Sequence, residues 1–133
     1  MNPTLNIYVA VIDDDEGFCR SLARLLRAAE YQPVTYSSAE AFLADTKHPR
    51  FDCLLVDISL GEISGLELGR RLAAVGSTTP IVYVTAHDDP KTRGEARAAG
   101  CVAFISKLES SDVLLKAVVG ALDSRRAPGD SSA

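Results

Sequence analysis

Ile7-Tyr8-Val9-Ala10-Val11-Ile12 runs straight into Asp13-Asp14-Asp15. A β-prone run without polar interruption suits a strand buried on both faces, as parallel sheets contain. The acids mark its end. Beyond them the period changes. Phe18, Leu22, Leu25, Leu26 and Ala29 recur at helical spacing as far as about Glu30.

The same alternation continues down the chain. Gln32–Tyr36 reads as a second strand. Ser37-Ser38-Ala39-Glu40 reads as a capping box that opens a helix to about Thr46. Cys53–Val56 is a third strand, again closed by an acid, Asp57. Ser64-Gly65-Leu66-Glu67 is a second capping box, and Gly76 stops the helix it opens. Pro80–Thr85 is a fourth strand, Pro90 starts a fourth helix ending near Gly100, and Val102–Ser106 is a fifth strand. Ser110 or Ser111 caps a last helix that carries Val113, Leu114, Ala117, Val118, Ala121 and Leu122. Strand and helix repeated five times predict an α/β fold, a parallel sheet sandwiched between helices. The expected domain spans 7–122, after a polar lead-in at 1–6. Residues 123–133 read as a flexible tail or linker stub.

Composition agrees. The chain has 133 residues, 47% hydrophobic and 24% charged, a globular balance. A chain of this length buries about two-thirds of its extended surface, enough for a core without staples. The net charge of −4 argues against direct nucleic-acid binding, which favours a basic face. Cys19, Cys53 and Cys101 are an odd, widely spaced set, neither a disulfide framework nor a zinc pattern, so a reducing cytoplasm is expected. No apolar run is long enough to span a membrane, and the N-terminus does not read as a secretory signal.

In parallel sheets the chemistry lies beyond the carboxyl ends of the strands. Asp13 and Asp14 end the first strand, Asp57 the third, Thr85 the fourth, and Ser106-Lys107 the fifth. Crowded carboxylates repel and raise one another's pKa, and a hard divalent cation such as Mg²⁺ removes that repulsion. A lysine ammonium pairs with carboxylate or phosphate oxygens, and a threonine hydroxyl can donate to a phosphoryl oxygen. The set suits a carboxylate nucleophile that accepts a phosphoryl group with help from metal and lysine.

Val11-Ile12-Asp13-Asp14-Asp15, Leu54-Leu55-Val56-Asp57, Gly65-Leu66-Glu67-Leu68, Val84-Thr85-Ala86 and Phe104-Ile105-Ser106-Lys107 resemble the receiver domains of two-component response regulators. The likeness covers about Tyr8–Leu122. It implies a flavodoxin-like (βα)5 sandwich with sheet order 2-1-3-4-5. It implies phosphotransfer from the phosphohistidine of a sensor histidine kinase, or from a phosphotransfer protein of a phosphorelay, onto Asp57. It implies Mg²⁺ (or Mn²⁺) held by Asp13, Asp14, Asp57 and the backbone carbonyl of Ser59. Thr85 and Lys107 then bind phosphoryl oxygens, Phe104 is the aromatic switch coupled to Thr85, and Ser59 and His87 tune the lifetime of the phosphoryl group. Such a domain is a cytoplasmic signalling module that promotes only its own phosphorylation and dephosphorylation. It addresses an output domain or downstream protein through the face of the fourth helix, fifth strand and fifth helix, and allows a phosphorylation-dependent homodimer. The Ser37–Phe42 stretch is similar in style to receivers that precede helix-turn-helix output domains.

Two positions depart from the family. Gly61 and Leu108 stand where proline is usual. A cis bond before leucine would cost about 3–4 kcal/mol, so Lys107–Leu108 is expected trans, with Leu108 packing where the ring would have gone. Other readings share the fold. An aspartate-nucleophile phosphatase generally carries an acid two residues past the nucleophile, where Ser59 stands. A nucleotide or flavin binder needs a glycine-rich first turn rather than Asp-Asp-Asp-Glu. A receiver-like module that no longer uses phosphorylation is the remaining alternative.

Overall fold

In the computed structural model, residues 7–87, 89–99 and 103–132 are described. The lead-in at 1–6, Cys101 and Val102 lie outside them. The elements alternate as expected: β1 Tyr8–Ile12, α1 Glu16–Ala28, β2 Gln32–Tyr36, α2 Ala39–Ala44, β3 Cys53–Asp57, α3 Gly65–Ala74, β4 Ile81–Thr85, α4 Pro90–Ala98, β5 Ala103–Ser106 and α5 Ser111–Ser132. The strands pair in parallel in the order β2-β1-β3-β4-β5.

The central strands are buried on both faces because their side chains alternate between two apolar layers. Val9 and Val11 of β1, Cys53 and Leu55 of β3, and Val82 and Val84 of β4 pack with Leu22 and Leu26 of α1 and Leu114 and Val118 of α5. Ala10, Ile12, Leu54, Val56 and Tyr83 face the other way, onto Phe42 of α2, Leu66 and Leu68 of α3 and Ala96 of α4. One layer thus holds α1 and α5, and the other α2, α3 and α4.

Local capping explains where the helices begin. Asp15 caps α1 by accepting the Phe18 N–H at 3.1 Å, and Ser64 caps α3 by accepting the Glu67 N–H at 3.1 Å. Asp89 caps α4 with Pro90 in its first turn. The cap of α2 lies one residue beyond the expected position. Ser38, not Ser37, caps α2, and its hydroxyl accepts the Ala41 N–H at 3.0 Å. The last helix also differs. It runs to Ser132, past the expected end at Leu122, and carries Leu114, Val118, Ala121 and Leu122 in the core cluster. Asp123 and Ser124, the residues after Leu122, are exposed.

Candidate functional site

β1, β3, β4 and β5 end on one edge of the sheet, because parallel strands all point the same way. Asp13 follows β1 directly, Asp57 closes β3, Thr85 closes β4 and Lys107 follows β5. Asp13 is 2% exposed, Asp57 4% and Thr85 1%. One carboxylate oxygen each from Asp13, Asp14 and Asp57 lies within 4.8 Å of the others. Asp14 is the exposed member.

Lys107 reaches into this cluster. Its Nζ donates to Asp13 Oδ1 at 3.1 Å and to Asp57 Oδ2 at 3.4 Å. Asp13 Oδ2 lies 2.9 Å from Nζ, an ion pair without hydrogen-bond geometry, so this buried oxygen has no hydrogen bond of its own. The backbone closes round the acids. The Asp15 N–H donates to Asp13 Oδ1 at 2.9 Å, and the Ser59 N–H donates to Asp57 Oδ1 at 3.0 Å. Gly65 keeps α3 close to this edge. Its N–H donates to the Ile58 carbonyl at 3.0 Å, and a Cβ there would run into the carbonyl of Asp57.

The electrostatics follow from burial. Loss of water pushes the Asp13 carboxyl above the usual carboxylate range, although the Asp15 N–H and the Lys107 ammonium pull it down. Burial alone would lower Lys107, but Asp13 and Asp57 outweigh it and hold the ammonium above its ordinary pKa. Burial, reinforced by the charge of Asp13, pushes the Cys19 thiol up to about 11, so it is not a thiolate nucleophile at neutral pH. Three acids against one lysine leave the pocket short of positive charge. The hard oxygens and the orphaned Asp13 Oδ2 fit a small divalent cation.

Thr85 stands beside this centre with its hydroxyl engaged elsewhere. It donates to the His87 carbonyl and accepts the His87 N–H, each at 3.0 Å. The Lys107 N–H donates to the Thr85 carbonyl at 2.7 Å, which ties the ends of β4 and β5. Phe104 is half-buried on β5, with the Arg93 guanidinium 4.9 Å from its ring centroid. Ser59 and His87 are exposed at the rim.

One expectation fails. Every described peptide bond is trans, yet Leu108 does not fill the place of a ring. It is 90% exposed. Its N–H is held by the Ser106 hydroxyl at 3.1 Å and the Glu109 N–H by the Ser106 carbonyl at 3.0 Å, a tight turn that directs the side chain to solvent. One residue does more at the site than its sequence reading said, for Phe18 packs against the core cluster of α1 and also meets Lys107. Phe18 fell on the apolar stripe of α1, but Lys107 Nζ lies 4.7 Å from its ring centroid. Its place at the third position after the capping Asp15 is the only local signal, and spacing alone does not distinguish an aromatic that packs from one that faces a cation.

The family model described as the response regulator receiver domain matches residues 9–119. The chain is 33% identical over 114 residues to response regulator protein TmoT of Ectopseudomonas mendocina, covering 86% of this chain and 52% of that protein. It is 34% identical over 110 residues to transcriptional regulatory protein FixJ of Rhizobium meliloti, covering 83% and 54% respectively. It therefore spans about half the length of these curated relatives. A response regulator receiver protein from Burkholderia phymatum superposes with a TM-score of 0.77 at 35% identity, covering 88% of this chain and 95% of that one. The sheet order, the acids at the strand ends and these matches converge: the chain belongs to the response regulator receiver domains of two-component signalling.

Proposed function

We propose that this domain accepts a phosphoryl group on Asp57 from the phosphohistidine of a sensor histidine kinase or phosphotransfer protein, and thereby switches its protein contacts. The observation that carries the reading is Lys107 Nζ bridging Asp13 and Asp57 inside a cluster of three carboxylates. In the transfer, an Asp57 oxygen forms the new P–O bond as the P–N bond breaks, and the imidazole keeps the electron pair. Lys107 offsets charge on the phosphoryl oxygens, and Thr85 leaves the His87 carbonyl to donate to one of them. Asp13, Asp14, Asp57 and the Ser59 carbonyl would hold Mg²⁺ or Mn²⁺, which when bound neutralises the acids and the incoming group. His87 and Ser59 stand at the rim where water must approach to hydrolyse the acyl phosphate.

The domain acts as a cytoplasmic signalling module rather than a turnover enzyme. Its output domain or downstream partner engages the face of α4, β5 and α5, where Phe104 lies beneath Arg93. Incubation with acetyl phosphate and Mg²⁺, followed by intact-mass measurement, tests the chemistry. The native chain should gain one phosphoryl group, Asp57→Asn none, and Asp14→Asn much less. A native chain that stays unmodified, or one that is modified equally well in a chelator, refutes the reading.

A further inference from the structure

We infer that Phe18 is a positioning residue for Lys107, its ring face holding the ammonium in place against Asp13 and Asp57. The inference rests on the functional reading of the same site. Four residues form a closed circuit there. The Asp15 N–H donates to Asp13 Oδ1 at 2.9 Å, and Asp15 Oδ1 accepts the Phe18 N–H at 3.1 Å. The Phe18 ring centroid lies 4.7 Å from Lys107 Nζ, and Nζ returns to Asp13 at 2.9 Å and 3.1 Å. The cap of α1 therefore sets both the acid and the ring between which the lysine sits.

An ammonium within about 6 Å of an aromatic centroid is attracted by the ring quadrupole, more strongly where water is excluded. Here the Lys107 side chain is 16% exposed. The turn fixes the Lys107 backbone through Thr85, but its flexible four-carbon stem is held only near its tip. The acids alone would let the ammonium move among several carboxylate oxygens. The ring adds a further contact, its centroid 4.7 Å from Nζ.

Phe18→Leu, Phe18→Tyr and Phe18→Trp separate this role from simple packing. Two quantities are read: the proton shift of the Lys107 ε-methylene, which a ring face shields, and the initial rate of Asp57 phosphorylation by acetyl phosphate with Mg²⁺. Phe18→Leu should stay folded, lose the shielding, and phosphorylate about 3- to 10-fold more slowly, within the range that a partly desolvated cation–π contact spans. Tyr and Trp should restore the shielding and most of the rate. An unshielded methylene in the native protein overturns the inference. So does a Leu variant at native rate, or Tyr and Trp variants as slow as Leu. A native protein that takes no phosphoryl group overturns the functional reading instead, and the methylene shift still decides whether Phe18 holds Lys107.

Discussion

Gly65 has no room for a side chain. An added Cβ would run into the Asp57 carbonyl and come within 2.9 Å of the Ile58 Cα, both of them backbone. Relief requires α3 to move off the end of β3. Gly65→Ala should therefore cost about 1–3 kcal/mol in urea denaturation. Gly61→Ala should stay within about 0.5 kcal/mol, since a Cβ at Gly61 meets nothing within 4 Å. Equal costs at the two positions would refute the argument. Asp13 gives a pH-dependent expectation. Its folded pKa is raised by burial, so the fold disfavours its charged form. That penalty is absent below the unfolded value of about 3.8, where both states are protonated, and grows as pH rises through the folded pKa. Asp13→Asn keeps the shape without the charge. In chelator at neutral pH it should melt higher than the native protein, and the gap should close toward pH 3.8. A lower melting temperature for Asp13→Asn would show that the ion pair with Lys107 outweighs burial.

Among the helices, α4 is the least anchored. Only Ala96 of its nine residues is buried, whereas α1 buries Cys19, Leu22, Ala23 and Leu26. Local stability follows buried apolar contact, so α4 amides should exchange with deuterium well before those of α1. A Cβ at Gly94 meets nothing within 4 Å, so Gly94→Ala should stabilise by up to about 1 kcal/mol and slow that exchange. Exchange in α4 as slow as in α1 would remove the basis for a mobile signalling face. The sequence already showed this weakness, because Lys91–Ala99 carries no large apolar side chain. It showed less about helix ends. The capping box placed the start of α2 at Ser37, whereas Ser38 caps it and buries Ala39 and Phe42 behind it.

At the scale of the molecule, the Thr85 hydroxyl is committed to the His87 backbone. A group on Asp57 that recruits Thr85 must break those bonds and shift the loop leading into α4. Lys107 is tied to the same Thr85 through the backbone, so β5 moves with it. Beryllofluoride with Mg²⁺, standing in for the phosphoryl group, should move amide signals throughout 91–99 and 103–108. Shifts confined to the loops after β1, β3 and β4 would mean that the site and the α4–β5–α5 face are uncoupled in this protein.

The chain by itself determined the alternation of strands and helices, the parallel sheet and the edge that carries Asp13, Asp57, Thr85 and Lys107. These follow from local facts: apolar run length, residue period, and polar groups where each strand stops. Family likeness supplied the sheet order. Tertiary structure alone decided that Lys107 meets Asp13 across 94 positions, that Phe18 turns its ring to that lysine, and that Leu108 points to solvent. Phe18 and Leu108 are both apolar in sequence, and apolar character alone does not separate their fates. The Phe18 N–H bonds to the capping Asp15 and its ring faces a partly buried ammonium, while the Ser106 turn holds Leu108 away from the core. Such partnerships depend on strand register and on the seating of α1 against the sheet, which no short window of sequence contains.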